Sequence, residues 1–71
     1  MKISMRAARV NAGLSQKEAA TRLGVSNKTI GNWENGITFP AADKILEICD
    51  LYAVSYDDLN FLPNDSLLAK R

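Results

Sequence analysis

Residues 16–35 constrain this chain more than any other stretch, because two short helical segments there are separated by only Gly24-Val25-Ser26. The first opens on Ser15-Gln16-Lys17-Glu18, a capping box in which the serine and the glutamate three residues later satisfy orphan backbone N–H groups reciprocally. It stops at Gly24, which enters the left-handed backbone region at little steric cost. Ser26 can then cap the next segment. Helices joined through so short a turn must cross closely. Ala20 is small enough to permit the crossing, and Leu23, Val25, Ile30 and Trp33 are the apolar groups that would lock it.

Start and stop signals divide the rest of the chain in the same way. Ser4 can cap a first helix reaching about Ala12, with Gly13 in the left-handed position after its end. The helix begun at Ser26 ends near Asn35, and Gly36 again fits the stop. Pro40, at or just before a first turn, opens a fourth helix through about Tyr52. Its apolar Ile45, Ile48, Cys49 and Tyr52 recur at three- and four-residue steps. Ser55-Tyr56-Asp57-Asp58 starts a short fifth helix, with two acids in its first turn. No stretch alternates with period two. The expectation is an all-α domain of five short helices over residues 1–62, then a short C-terminal tail or arm, 63–71, holding Leu67, Leu68 and two bases.

Size and composition narrow the function. Seventy-one residues make one small domain, which buries only about 60% of the surface its unfolded chain exposes. One cysteine and no histidine leave no internal disulfide and no standard zinc site, so neither metal nor cofactor is expected. The apolar neighbours of Cys49 would raise its thiol pKa and make it core filler. The commonest general acid–base residue is missing, and an enzyme is not expected. No apolar run approaches the roughly 18 residues that span a bilayer, and residues 1–10 lack a signal-peptide core. These features lead to the expectation of a soluble cytoplasmic protein with no membrane partner.

The near-neutral total charge conceals an asymmetry. Residues 1–36 hold six bases and two acids, and residues 37–71 hold three bases and six acids. The first half therefore suits a polyanion. The third helix sharpens this. With Asn27 at zero on a helical projection, Gly31, Asn35, Lys28 and Asn32 fall at about 40°, 80°, 100° and 140°. Ile30 and Trp33 fall on the opposite side, near 300° and 240°. One arc is thus apolar and inward, which makes Trp33 a core residue; the other carries three asparagines, a lysine and a glycine, with no acid. A merely solvated helix face is normally made of Glu, Lys, Gln or Arg, since asparagine and mid-helix glycine are poor helix formers. Short amides suit the N6 and N7 edge of adenine, and lysine suits O6 and N7 of guanine. Gly31 would leave room for a backbone or a thymine methyl.

Gly13-Leu14-Ser15-Gln16, Ala20, Leu23-Gly24-Val25-Ser26, Thr29-Ile30, Trp33-Glu34-Asn35-Gly36 and Pro40, continuing to Leu46, Val54-Ser55 and Leu59, resemble the phage repressor and Cro family of helix-turn-helix regulators over residues 4–60. The resemblance implies a lambda-repressor-like domain with its helix-turn-helix at about residues 16–35. It makes the third helix a recognition helix in the DNA major groove. By position, Asn27, Lys28 and Asn32 would read bases, with Ser26 at the groove edge. Gln16 would clamp a phosphate, Asn35 and Thr38 would grip the backbone on the other side, and Lys17 would add a phosphate contact. Arg9 and Glu34 match a structural ion pair, Arg9 being also able to face a phosphate. Gly31 and Asn32 depart from the larger polar residues often found there.

The function this implies is that of a Cro-like, sequence-specific transcriptional regulator of phage or mobile-element origin. Its partner would be a double-stranded DNA operator, bound as a homodimer on half-sites about 34 Å apart. Tyr52, Tyr56, Phe61 and Leu62 are the candidate dimer contacts, with the aromatic ones equally open to a core role. The alternative is an antirepressor or antitoxin whose main partner is another protein, such as a second repressor. The acidic residues Asp43, Glu47, Asp50, Asp57 and Asp58 favour that reading.

Overall fold

The computed structural model describes residues 2–60. Its order is β1 (Ile3–Ser4), α1 (Met5–Asn11), α2 (Gln16–Leu23), α3 (Asn27–Glu34), α4 (Ala42–Tyr52), one 3₁₀ turn (Tyr56–Asp58) and β2 (Leu59–Asn60). Serines begin the first three helices as the sequence predicts. The Ser4, Ser15 and Ser26 hydroxyls accept hydrogen bonds from the N–H groups of Ala7, Glu18 and Thr29 at 3.0–3.1 Å. The Ser15 N–H donates back to Glu18 Oε1 at 2.9 Å, which completes the capping box. Those bonds to Ser15, first through its backbone and then its side chain, hold the Glu18 carboxyl below its ordinary pKa.

Gly24 ends α2 at φ 70° and ψ 31°, a left-handed conformation that lets the chain reverse within three residues. The crossing of α2 over α3 is cemented by buried Ala19, Ala20, Leu23, Ile30 and Trp33. Ala20 is 4% exposed, so a longer side chain would drive the two helices apart. Met5 and Ala8 of α1, Ile48 and Tyr52 of α4 and Leu59 of β2 complete one core. Leu14, Val25, Cys49, Leu51 and Val54 pack around its edge. Cys49 is half-buried, and burial raises its thiol pKa.

Two expectations are corrected. The fifth helix is a single 3₁₀ turn. Ser55 Oγ donates to Asp58 Oδ2 at 3.0 Å, and Leu59 at once turns extended (φ −92°, ψ 126°) to enter the core. Aspartates and asparagine, all poor helix formers, give no reason to continue. The domain also contains strands. Ile3 pairs with Leu59 and Ser4 with Asn60 in a two-residue parallel ladder, too short for a period-two pattern to show. Tyr52, left open between a core and a dimer role, is 3% exposed and packs in the core. Its phenolic oxygen is buried with no hydrogen-bond partner among the described residues. Burial, then the nearby Glu34 charge, pushes its pKa up to about 12, against the opposing pull of Arg9. Of the other dimer candidates, Tyr56 is exposed, while Phe61, Leu62 and the 63–71 tail lie outside the described residues, as does the boundary at 62.

Candidate nucleic-acid interface

The inward side of α3 is fixed by Ile30 and Trp33, 0% and 6% exposed. The opposite arc is therefore held outward as a rigid surface. On it, Asn27, Lys28 and Asn35 are exposed, and Gly31 and Asn32 are half-buried. The four side chains of that arc make no hydrogen bond or ion pair among the described residues. Amides left uncommitted on a stiff helix can pair with an external edge without first breaking an internal bond.

Ser26 stands at the N-terminal edge of this arc, its hydroxyl occupied by the Thr29 N–H and by the Thr29 hydroxyl at 2.8 Å. Beyond the C-terminal end, the Asn32 carbonyl accepts from the Ile37 N–H at 2.9 Å and more loosely from Thr38 at 3.4 Å. That loop is thereby folded back on α3, which brings exposed Thr38 close to the end of the arc. Lys17 is exposed on the first turn of α2.

The end of α3 is bolted down by Glu34, whose side chain is fully buried. Arg9 Nε donates to Glu34 Oε2 at 2.7 Å, and Arg9 Nη2 to Oε1 at 3.4 Å. Arg9 Nη1 donates to the Leu14 carbonyl at 2.8 Å. All three guanidinium nitrogens thus donate inward, to Glu34 and to the Leu14 carbonyl, as the structural pairing of Arg9 requires. Burial alone would raise the Glu34 pKa, but the bonds from Arg9 and Gln16, the Arg9 charge and a bond from Arg6 outweigh it. The carboxyl is held below its ordinary 4.5.

Gln16 is drawn into the same cluster, its Nε2 donating to Glu34 Oε1 at 3.0 Å. A carboxylate only accepts, so this bond fixes which end of the Gln16 amide is nitrogen. One N–H and the amide oxygen remain for other partners. Sequence reasoning missed Arg6, whose Nε lies 3.5 Å from Glu34 Oε1 while 61% of its side chain stays exposed. Arg6 and Asn35 border one depression of about 170 Å³, with Ser4 and Glu34. The available signal was the three-residue spacing of Arg6 from Arg9, which puts both on one face of α1. Lys44 was also missed. Its Nζ donates to the Leu23 carbonyl at 2.7 Å and so ties α4 to the end of α2.

Residues 5–59 match the model of the helix-turn-helix family. The chain belongs to that family. It is also 40% identical over 55 residues to the HTH-type transcriptional regulator ImmR of Bacillus subtilis, a match covering 78% of this chain and 43% of that protein. The chain therefore spans less than half the length of this relative. No solved structure shows a significant match. Within the family frame, α2 and α3 form the two-helix unit, and the uncommitted arc of α3 is its outward face. Among the described residues no group of three or more potential metal ligands is found, and no helix is long and apolar enough to cross a membrane.

Proposed function

We propose that this chain is a sequence-reading DNA-binding transcriptional regulator that lays α3 in the major groove of an operator. The observation that carries the reading is the α3 arc itself: three asparagines and a lysine, free of acids and internal bonds, on a helix pinned from behind by Ile30, Trp33 and Glu34. Asn27, Lys28 and Asn32 read base edges, with Ser26 at the groove edge. Gln16, Lys17, Asn35 and Thr38 contact phosphates, and exposed Arg6 joins them from α1. Glu34 acts as a positioning residue by setting the orientation of the Gln16 amide. The name of the Bacillus relative supports a regulatory role.

A Cro-like action, a phage or mobile-element origin and a cytoplasmic setting belong to the same proposal. So does a homodimer on two half-sites about 34 Å apart, for which Tyr56 is the remaining described candidate contact.

The test is titration onto the DNA upstream of the gene at several salt concentrations, with random duplex as control. Tight binding that falls steeply with salt is expected. Asn32→Ala should cost about 1–3 kcal/mol on that DNA and relax one base position. Equal loss on random DNA would remove Asn32 from the readers. Binding no better than to random duplex at every salt would favour a second reading, an antirepressor or antitoxin acting on another protein. That reading draws on the outward face of α4, where Leu46 is 69% exposed among exposed Asp43, Glu47 and Asp50. Co-purification with the product of a neighbouring gene would support it.

A further inference from the structure

Gly31 has no explanation inside the protein. Of the four glycines in the chain, Gly13, Gly24 and Gly36 sit at positive φ, where other residues are strained, and Gly31 does not. A Cβ placed on Gly31 would meet nothing within 4 Å, so no neighbouring element needs the space. Mid-helix glycine nonetheless weakens a helix more than any residue but proline. A cost that the fold does not require is accounted for by something outside the chain that comes close. On the helical projection, Gly31 lies between Asn27 and Lys28, one turn after both.

The surface bared there also has a definite chemistry. The Gly31 carbonyl is already taken by the Asn35 N–H at 2.9 Å, so the gap offers a bare CH₂ and helix backbone with little hydrogen-bonding capacity. Its rim is polar, made by amides and a lysine. In the major groove one group is apolar, the 5-methyl of thymine. We propose that Gly31 is a specificity-determining residue whose open space seats a thymine 5-methyl against the backbone of α3 while Asn27, Lys28 and Asn32 engage neighbouring base edges. This rests on the DNA-reading role proposed above and adds a contact to it.

The experiment uses the full chain and a duplex enriched by it from a randomised 26-base-pair library, roughly two and a half helical turns. Affinity is measured for the wild type, Gly31→Ala and Gly31→Val, on that duplex and on versions in which each thymine in turn is replaced by deoxyuridine, which lacks the methyl. Gly31→Ala should raise Tm by about 4–8 °C, because helix propensity improves and nothing clashes. It should nevertheless weaken binding to the enriched duplex about tenfold, with Gly31→Val weaker still and random-duplex affinity unchanged. One thymine-to-uracil change should weaken the wild type severalfold and have little further effect on Gly31→Ala. The raised Tm separates this loss from misfolding. Wild-type affinity in both variants, or methyl removal that acts equally on wild type and variant, overturns the proposal and leaves the DNA-reading role standing. Failure to enrich any sequence overturns both.

Discussion

Four helix starts in this chain share one backbone geometry, yet the region they belong to decides what fills them. Ser4, Ser15, Ser26 and Ala41 all sit near φ −70° to −80° and ψ 160°. The three serines cap α1, α2 and α3, whereas Ala41 leaves α4 without a side-chain cap. The other end of α4 differs too. There Ala53 occupies the left-handed region at φ 57°, the position glycine fills after α2. The α2–α3 corner is thus specified residue by residue along the sequence, while α4 depends on what it packs against. Ile48 and Tyr52 enter the core, and Lys44 reaches the Leu23 carbonyl. The half of the molecule that carries the candidate interface is stiff through local interactions. The other half has local interactions left to gain.

Substitutions at four positions sharpen that contrast. Glu34→Ala should cost the most, about 3–5 kcal/mol, because it strands the buried Arg9 guanidinium. Against a total of about 4–10 kcal/mol for a domain this size, urea titration should find the midpoint moved far down, with no folded baseline left if the total lies at the low end of that range. A loss below about 1 kcal/mol would mean that the capped corner holds without its bolt. The same residue sets an acid limit. The folded-state pKa of Glu34 lies below its unfolded value near 4.5, so its contribution is complete above that pH and fades as pH falls through the folded pKa. Thermal melts of the wild type should therefore drop below about pH 4.5 with a steeper slope than those of Glu34→Gln.

Lys44→Met should cost about 1.5 kcal/mol, since a charged donor is lost from a carbonyl while the aliphatic stem is kept. Guanidinium denaturation would read it, and no change would show that α4 is held by its apolar face alone. Ala41→Ser should stabilise by about 1 kcal/mol, because the backbone already has the capping geometry. Smallest is Ala53→Gly, a gain of about 0.5 kcal/mol after the relief of left-handed strain is set against the freer unfolded chain. A loss of stability there would show that the Ala53 methyl has a packing role.

The same contrast governs how much was legible beforehand. The bounds of α1, α2 and α3 could be read because each is announced by a serine and followed by a glycine, and those signals act over a few residues. The opposed faces of α3 followed from spacing alone, with Ile30 and Trp33 inward and Asn27, Lys28 and Asn35 outward. The segment from Ser55 to Asp58 reads as a helix start because Asp57 and Asp58 suit a first helical turn, while the pull of Leu59 into the core is a tertiary effect. Pairing between Ile3 and Leu59 is likewise set by the packed body and leaves no local trace. At the interface, the Arg9–Glu34 pair came from family resemblance. The second partner of that carboxylate, Gln16, and the approach of Arg6 needed three helices placed in space.

The short parallel ladder has a consequence for the order of folding. Contacts within the α2–α3 corner join residues close in sequence, whereas Ile3 and Leu59 come from opposite ends of the described chain. Closing so long a loop is entropically costly until the helices between have gathered. The ladder should form after the rate-limiting barrier, once the three capped helices and α4 have packed. Weakening it at Ile3 would then leave the folding rate nearly untouched and speed unfolding. Two residue pairs would act as a latch that sets how long the folded domain lasts once it has formed.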